Sequence, residues 1–504
     1  MRFHFHFSLV FFLFSLMLSA QEKSEYQPEK FQFRGVWIAT VRNLDWPSQP
    51  GLTVAEMKAE YILQLDLLKE IGMNAVIVQV RPSGDAMYNS SFEPWSLYLT
   101  GKQGLPPPNQ FDPLTFMIEE THARCMEFHA WFNPFRAVPD VESAQISPDH
   151  IFHQHPEWFV QYGPHLYFNP GIDSVRSFTI DVIMDVVKRY DIDAVHFDDY
   201  YYPYRINSQE YPDQESFRRH GGSFFPDRKD DWRRNNINEF VRQLNDSINM
   251  IKPWVHFGIS PFGVWRNKSQ DERGSETQTL QNNYDDLYGD ALKWVEESWL
   301  DYILPQCYQY LGRDIMDYRI VTKWWNDNHG NVNYYIGQGP FRLGNAERGE
   351  PWTIGNEIDR QLYFNRQISD LKGSAYFRSE TFAENPLGVN EILKDKHYRY
   401  PALTPASYAD SMHVNTANIV DVSCAYSAEK YHIKWSVEAP EKILWYVVYR
   451  SEDVQDAKQV IQLSRSNSVS IHKALLEKGV SSVYITSIDR YRSESEPVRI
   501  DLCQ

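Results

Sequence analysis

The segment Asp193-Ala-Val-His-Phe-Asp-Asp-Tyr-Tyr-Tyr-Pro203 sets two adjacent carboxylates, Asp198 and Asp199, at the end of an apolar, β-prone run. A plain core has no use for such a pair, because burying an unpaired carboxylate is costly or raises its pKa. Glycosidic bond cleavage does use two carboxyl groups, about 5–5.5 Å apart for retention and about 6.5–9.5 Å for inversion. Glu380 and Asp85 are the candidates for a further carboxyl. Asp198, Asp199 and Glu380 are therefore the candidate catalytic residues. The competing structural explanation is an ion pair from these acids to an arginine such as Arg81 or Arg378.

Such groups need a rigid frame. From residue 33 to residue 382, β-rich runs alternate with amphipathic helical ones. Strands are expected at 35–41, 75–81, 128–133, 194–199, 255–260, 302–308, 334–338 and 374–380. Helices are expected at 54–71, 113–125, 175–190, 232–251, 291–299, 316–326 and 353–368. That alternation predicts an α/β fold, a (β/α)8 TIM barrel; no GxGxxG or P-loop opens a helix in favour of a doubly wound sheet. Side chains alternate between the faces of a strand, so Val195 and Phe197 face the helices and His196, Asp198 and Tyr200 face the axis. The same alternation points Gln79 and Arg81, Trp131 and Asn133, Gln306 and Tyr308, and Arg378 and Glu380 inward. All lie at C-terminal strand ends, where barrel enzymes carry their sites. Substrate-binding candidates are Trp37, Arg81, Asp85, Trp131, Asn133, Arg136, Tyr200, Gln306, Tyr308 and Arg378. The amides and phenols suit hydroxyl or acetamido groups, the arginines a carboxylate, and the indoles the apolar face of a pyranose. His153 and His155 lack a third ligand, so neither a metal nor another cofactor is expected.

The whole chain has 504 residues, of which 15 are Trp, 31 Tyr and 29 Phe, a content that suits a sugar-binding surface. Its net charge of −17 argues against a nucleic-acid partner or an anionic membrane surface. Arg2 precedes an apolar run from Phe7 to Leu18 and small residues up to Ala20. This reads as a secretory signal over 1–20, cleaved near Ala20 and too short to span a bilayer. The expected product is exported, periplasmic or secreted, and not membrane-spanning. A short N-terminal linker at 21–30 leads into the barrel at 31–400. Pro401 and Pro405 then punctuate a linker at 401–417, a boundary that a truncation near Tyr400 is expected to respect without loss of chemistry. Residues 418–504 change texture, with strands expected at 431–435, 445–450, 468–472 and 483–490, a small all-β sandwich. Of the four cysteines, Cys125 and Cys307 sit in apolar runs as buried thiols, while Cys424 and Cys503 lie near the ends of the β module and are candidates for a pair.

Several motifs occur in order across residues 31–400: Arg34-Gly-Val-Trp37, Gln79-Val-Arg-Pro82, Gly84-Asp85-Ala86, Pro94-Trp95-Ser96, Leu99-Thr-Gly101, Asp112-Pro113-Leu114, His129-Ala-Trp-Phe-Asn-Pro134, Phe197-Asp-Asp-Tyr200 and Pro305-Gln-Cys-Tyr308. Together they resemble glycosyl-hydrolase-like family 10. The resemblance implies an exported (β/α)8 glycosidase, with the family's acidic strand-four motif on Asp198 and Asp199. It also implies a glycan substrate, peptidoglycan glycan strands lacking stem peptides being expected. It does not divide acid from nucleophile between the two aspartates. Family-18 chitinases carry DxxDxDxE on strand four. Aligned at Asp193, this chain places Tyr200 where they have the catalytic glutamate, so their mechanism does not transfer directly. A substrate-assisted variant, with Asp198 orienting an acetamido group, stays open, as does a non-catalytic carbohydrate-binding barrel. The last hundred residues resemble a fibronectin type III module through Trp435, Tyr446-Val-Val-Tyr-Arg450 and Tyr484-Ile-Thr-Ser-Ile-Asp-Arg490.

Overall fold

Thr53 caps the N–H of Glu56 while Glu56 reaches back to the N–H of Thr53, and this reciprocal cap starts helix α1 (Val54–Ile71). Gly72 ends the helix at φ 100°, a left-handed turn that suits glycine, and turns the chain into strand β2. Similar punctuation recurs around the molecule. The computed structural model describes residues 28–503 apart from 143–144, 208, 416 and 477–479; the expected signal segment lies outside the described residues.

The barrel strands are β1 (Phe33–Ile38), β2 (Ala75–Arg81), β3 (Glu127–Phe132), β4 (Ala194–Phe197), β5 (His256–Ile259), β6 (Tyr302–Ile303), β7 (Asn333–Gln338) and β8 (Leu371–Tyr376). They close into one barrel in chain order, with β8 pairing in parallel to β1. Helices α1, α2 (Pro113–Ala123), α3 (Asp173–Arg189), α4 (Lys229–Ile251), α5 (Ala291–Glu296), α6 (Tyr318–Asn328) and α7 (Glu357–Asn365) connect them. This is the expected (β/α)8 TIM barrel. Val36, Val78, Phe197, Phe257 and Ile336 pack outward against the helices. Phe33, Trp37, Trp131, Tyr302, Tyr335 and Ala375 fill the interior.

Two of the expected inward faces differ. A bulge near the end of β2 shifts its register on β3, so that Gln79 pairs with Trp131 but Arg81 pairs with Phe132. Phe132 faces the helix side, and one extra residue turns Arg81 to that side as well. On β8 the inward residue is Ala375, and Phe377 continues that face, packing on Trp37 and Tyr308. The strand ends at Tyr376, so alternation no longer governs Arg378 and Glu380.

The interior also holds a directed hydrogen-bond thread. Trp37 Nε1 donates to His196 Nε2 at 3.3 Å, and His196 Nδ1 meets the Tyr302 hydroxyl at 2.9 Å. An indole only donates, so the His196 proton sits on Nδ1. Tyr302 in turn donates to His129 Nδ1 at 2.9 Å, and His129 Nε2 to Glu127 at 2.9 Å. Gly258 makes room for this hub, since a Cβ there would fall 1.9 Å from the Tyr302 ring.

Among the described residues the C-terminal module has seven strands: β9 (Ile419–Ser427), β10 (Lys430–Val437), β11 (Ile443–Tyr449), β12 (Val460–Ser464), β13 (Ser468–His472), β14 (Ser482–Asp489) and β15 (Val498–Asp501). They form a three-stranded sheet, β9-β10-β13, and a four-stranded sheet, β12-β11-β14-β15, around a shared apolar core. Cys424 and Cys503 are joined as a disulfide, while Cys125 and Cys307 are free and buried.

The segment between the two parts is built into the barrel's N-terminal face. Leu403 exchanges backbone hydrogen bonds with Lys30 and Gln32, and the Thr404 hydroxyl donates to Glu127 at 2.6 Å. From the module, buried Arg492 donates to Glu127 at 2.9 Å, to the Asp193 carbonyl at 3.3 Å and to the Trp254 carbonyl at 3.1 Å. The module thus lies beneath the barrel, opposite its C-terminal mouth, and contributes to the floor. Truncation near Tyr400 would not be the clean cut that the linker prolines suggest.

Candidate active site

Strand β4 ends at Phe197, and the chain delivers Asp198 and Asp199 to the mouth, where they are 5% and 2% exposed. Asn133, just beyond β3, donates through Nδ2 to Asp198 at 2.7 Å. Its orientation is dictated from further away. The backbone N–H groups of Thr40 and Val41 donate to Gln79 Oε1 at 3.0 and 2.9 Å, so Gln79 must offer Nε2 to Asn133 Oδ1, at 2.5 Å. Two backbone donors therefore fix two amides, and the second amide aims an N–H at the carboxylate.

Burial, reinforced by the Asp199 charge, pushes the Asp198 carboxyl up to about 7, against the pull of Arg136, Asn133 and the Tyr200 N–H. Asp199 is also raised by burial, but it takes hydrogen bonds from the Tyr204 hydroxyl and from Gln306, which favour its charged form. The geometry thus separates one carboxyl that holds its proton to neutral pH from a neighbour supplied with donors. Around them, Arg136 stacks 3.7 Å over the Tyr200 ring, carried by a three-stranded ribbon of residues Arg136–Val138, Phe159–Tyr162 and His165–Phe168. Gln306 also donates to the Ser260 carbonyl at 2.8 Å. Tyr308 packs beside Phe377 and Phe341, and burial and the Asp199 charge hold its phenol protonated. Trp37 and Trp131 are interior, and the Trp131 indole N–H has no partner among the described residues.

The other candidates fall elsewhere. Arg81 is fully buried, grips Glu93 with two hydrogen bonds of 2.7 and 2.5 Å, and holds the carbonyls of Asn133 and Pro134. It braces the end of β3 and presents no donor to the mouth. Arg378 bonds Asp45 at 2.8 Å and Glu380, tying the β8 and β1 loops together. Glu380 is exposed, held by Arg378, and touches neither aspartate. Asp85 is fully buried in the loop layer, pushed up to about 7 by burial, with Oδ1 unpartnered among the described residues. Neither Arg81 nor Arg378 is therefore the counter-ion of Asp198. Sequence reasoning missed Phe377, whose parity was misassigned, and Tyr204, which was hidden in a run of tyrosines.

A closed (β/α)8 barrel with two neighbouring buried carboxyls at its mouth is an architecture that glycoside hydrolases use. The Glycosyl hydrolase-like 10 profile matches residues 32–353, and the chain belongs to that family. It is 41% identical over 505 residues to "Glycosyl hydrolase YngK" of Bacillus subtilis, covering 97% of this chain and 98% of that protein. It is 37% identical over 369 residues to "Glycosyl hydrolase DigH" of Escherichia coli, covering 69% of this chain and 83% of that protein. Among solved structures, the PgaB (BpsB) glycoside hydrolase domain from Bordetella bronchiseptica shares the fold at TM-score 0.50 and 11% identity, over 72% of this chain and 99% of that domain. No helix among the described residues is long and apolar enough to cross a membrane.

Proposed function

We propose that this glycosyl hydrolase cleaves a glycan of N-acetylated sugars, peptidoglycan strands lacking stem peptides, by acid/base chemistry at Asp198 and Asp199. The observation that carries the reading is the Asp198 carboxyl: buried, without an ion-paired arginine, oriented by Asn133, and protonated to about pH 7. A carboxyl in that state suits protonation of a leaving oxygen, and positioned proton transfer contributes about 10²–10⁴-fold. Asp199, receiving Tyr204 and Gln306, supplies the charge that stabilises the developing oxocarbenium ion. Gln306 and Tyr308 bind polar substituents, and Trp131 and Phe377 offer apolar ring faces at the base of the groove.

The same reading takes residues 1–20 as an export signal, which would carry the enzyme to where such glycans lie. It takes the C-terminal module as fibronectin type III-like, supported by the three-plus-four arrangement of its strands. Release of new reducing ends tests the substrate. Stem-peptide-free strands should be cleaved at least tenfold faster than intact peptidoglycan or chitin oligosaccharides. Equal rates on all three would reject the assignment, and no release from any would point to a binding protein.

A further inference from the structure

We infer that Tyr162 is a positioning residue of the reaction: from the ribbon beside the mouth, its hydroxyl clasps the loop after β4 and so holds the Tyr204 phenol on Asp199. The inference rests on the glycosidase reading and adds how the second carboxyl is kept in its place. None of the described residues of the stretch 200–209 lies in a helix or a strand. Among them the stretch makes two backbone–backbone hydrogen bonds, from the Tyr201 N–H to the Asp199 carbonyl at 3.2 Å and from the Gln209 N–H to the Ile206 carbonyl at 3.0 Å. A loop so sparsely bonded keeps its shape through side chains packed against it.

The ribbon grips this loop at both ends. At the start, Arg136 stacks on the Tyr200 ring. At the far end, the Tyr162 hydroxyl accepts from the Ile206 N–H at 2.8 Å and donates to the Gln209 carbonyl at 2.7 Å. With the Gln209 N–H on the Ile206 carbonyl, these bonds close a ring around a turn that passes through the left-handed region at Asn207, φ 52°. Tyr162 is 3% exposed, and its ring meets Tyr211 edge-on at 5.6 Å. Packing alone would be served by Phe, whereas the hydroxyl commits both its donor and its acceptor to the loop backbone. Beside it Ile206 closes on Gly163, where a Cβ would fall 2.5 Å from Ile206 Cδ1. Between the two anchors, Tyr204 meets the Tyr200 ring edge-on at 5.3 Å and donates to Asp199. The titratable and charged groups around Asp199 are Asp198, Arg136, Tyr200, Tyr201, Tyr204 and Tyr308. Tyr204 donates directly to the carboxylate, so losing that contact disfavours the charged form of Asp199.

The test is a double-mutant cycle of Y162F, Y204F and Y162F/Y204F, read by reducing-end release across pH. Y162F should lower kcat about tenfold with KM within about twofold, and move the acid limb of kcat/KM up by about one pH unit. Y204F should do the same, and the double variant should lose no more than Y204F within about twofold, because one residue acts through the other. G163A perturbs the same contact with Tyr162 intact, since its methyl group drives Ile206 off the ribbon. It should reproduce the Y162F profile, and it carries the test if Y162F does not fold. Losses that multiply in the double variant, or wild-type kcat and pH profiles in Y162F and G163A, would overturn the inference. A fluorine resonance from 3-fluorotyrosine placed at position 204 gives a readout without substrate. In wild type it should shift as Asp199 titrates, a shift that D199N abolishes, and in Y162F it should move to the D199N position. That result without cleavage of any strand keeps the clasp and rejects only the hydrolase reading. A resonance unchanged in Y162F would overturn the inference.

Discussion

At the residue scale, two neighbouring carboxyls, Asp198 and Asp199, have different surroundings. If Asp198 is the proton donor, kcat/KM should fall as pH rises through about 7, and a pH–rate profile of reducing-end release checks this. A flat profile from pH 6 to pH 9 would speak against it. The same group affects stability. Its folded value lies above the ordinary aspartate value of about 3.9, so the folded state is progressively penalised as pH rises from near 4 to near 7. Asp198→Asn removes that penalty. The variant should therefore melt at or above the wild-type temperature at pH 8, with the difference closing near pH 4. A melting temperature well below wild type at pH 8 would mean that the carboxylate has a stabilising partner after all. Arg81 and Arg378 are excluded as that partner, because each is committed to another acid.

At the element scale, the strands were readable because short β-prone runs alternate with longer helical ones and because caps such as Thr53 and Gly72 punctuate the helices. All eight barrel strands followed from that pattern, as did the inward face of Gln79, although the sixth strand is only Tyr302–Ile303 where 302–308 was expected. The failures also have local causes. A bulge is a mismatch between two strands and leaves no mark on one of them, so the outward turn of Arg81 was not legible. On β8 the inward residues are small, Gly373 and Ala375, because that part of the interior is filled by large rings from other strands. The polar residues 378 and 380 lie past the strand end and misled the alternation. Gly258 shows the same economy of space. Gly258→Ala would press a methyl group into the Tyr302 ring, at a cost of about 1–3 kcal/mol for overpacking. A melting temperature lower by several degrees is expected, with reduced turnover as the His129–Tyr302–His196 thread shifts. An unchanged melting temperature would show that Tyr302 has room to move.

At the scale of the whole molecule, the chain closes on itself over a distance that no local pattern reveals. Glu127 opens β3, and its partner Arg492 comes from the far end of the sequence, 365 residues later. Burial opposes the charge of Glu127, but Arg492, with help from His129, holds its carboxyl well below the ordinary range. Its stabilisation is therefore present above the unfolded value of about 4.3 and lost as pH falls. Arg492→Met leaves Glu127 buried with a weakened set of partners and should cost about 3–5 kcal/mol at neutral pH. The deficit in melting temperature against wild type should shrink in acid, and a pH-independent deficit would contradict the ion-pair origin. The module lies opposite the mouth, so the folded fraction of such a variant should still turn over glycan. Chemistry is placed at one end of the barrel and its stability partly at the other. The most direct test of the central claim is reducing-end release from stem-peptide-free strands by wild type, Asp198→Asn and Asp199→Asn, with melting temperatures taken on the same preparations. A fall of about a hundredfold or more is expected for each variant, with melting temperatures kept. Wild-type turnover by both stable variants would contradict it.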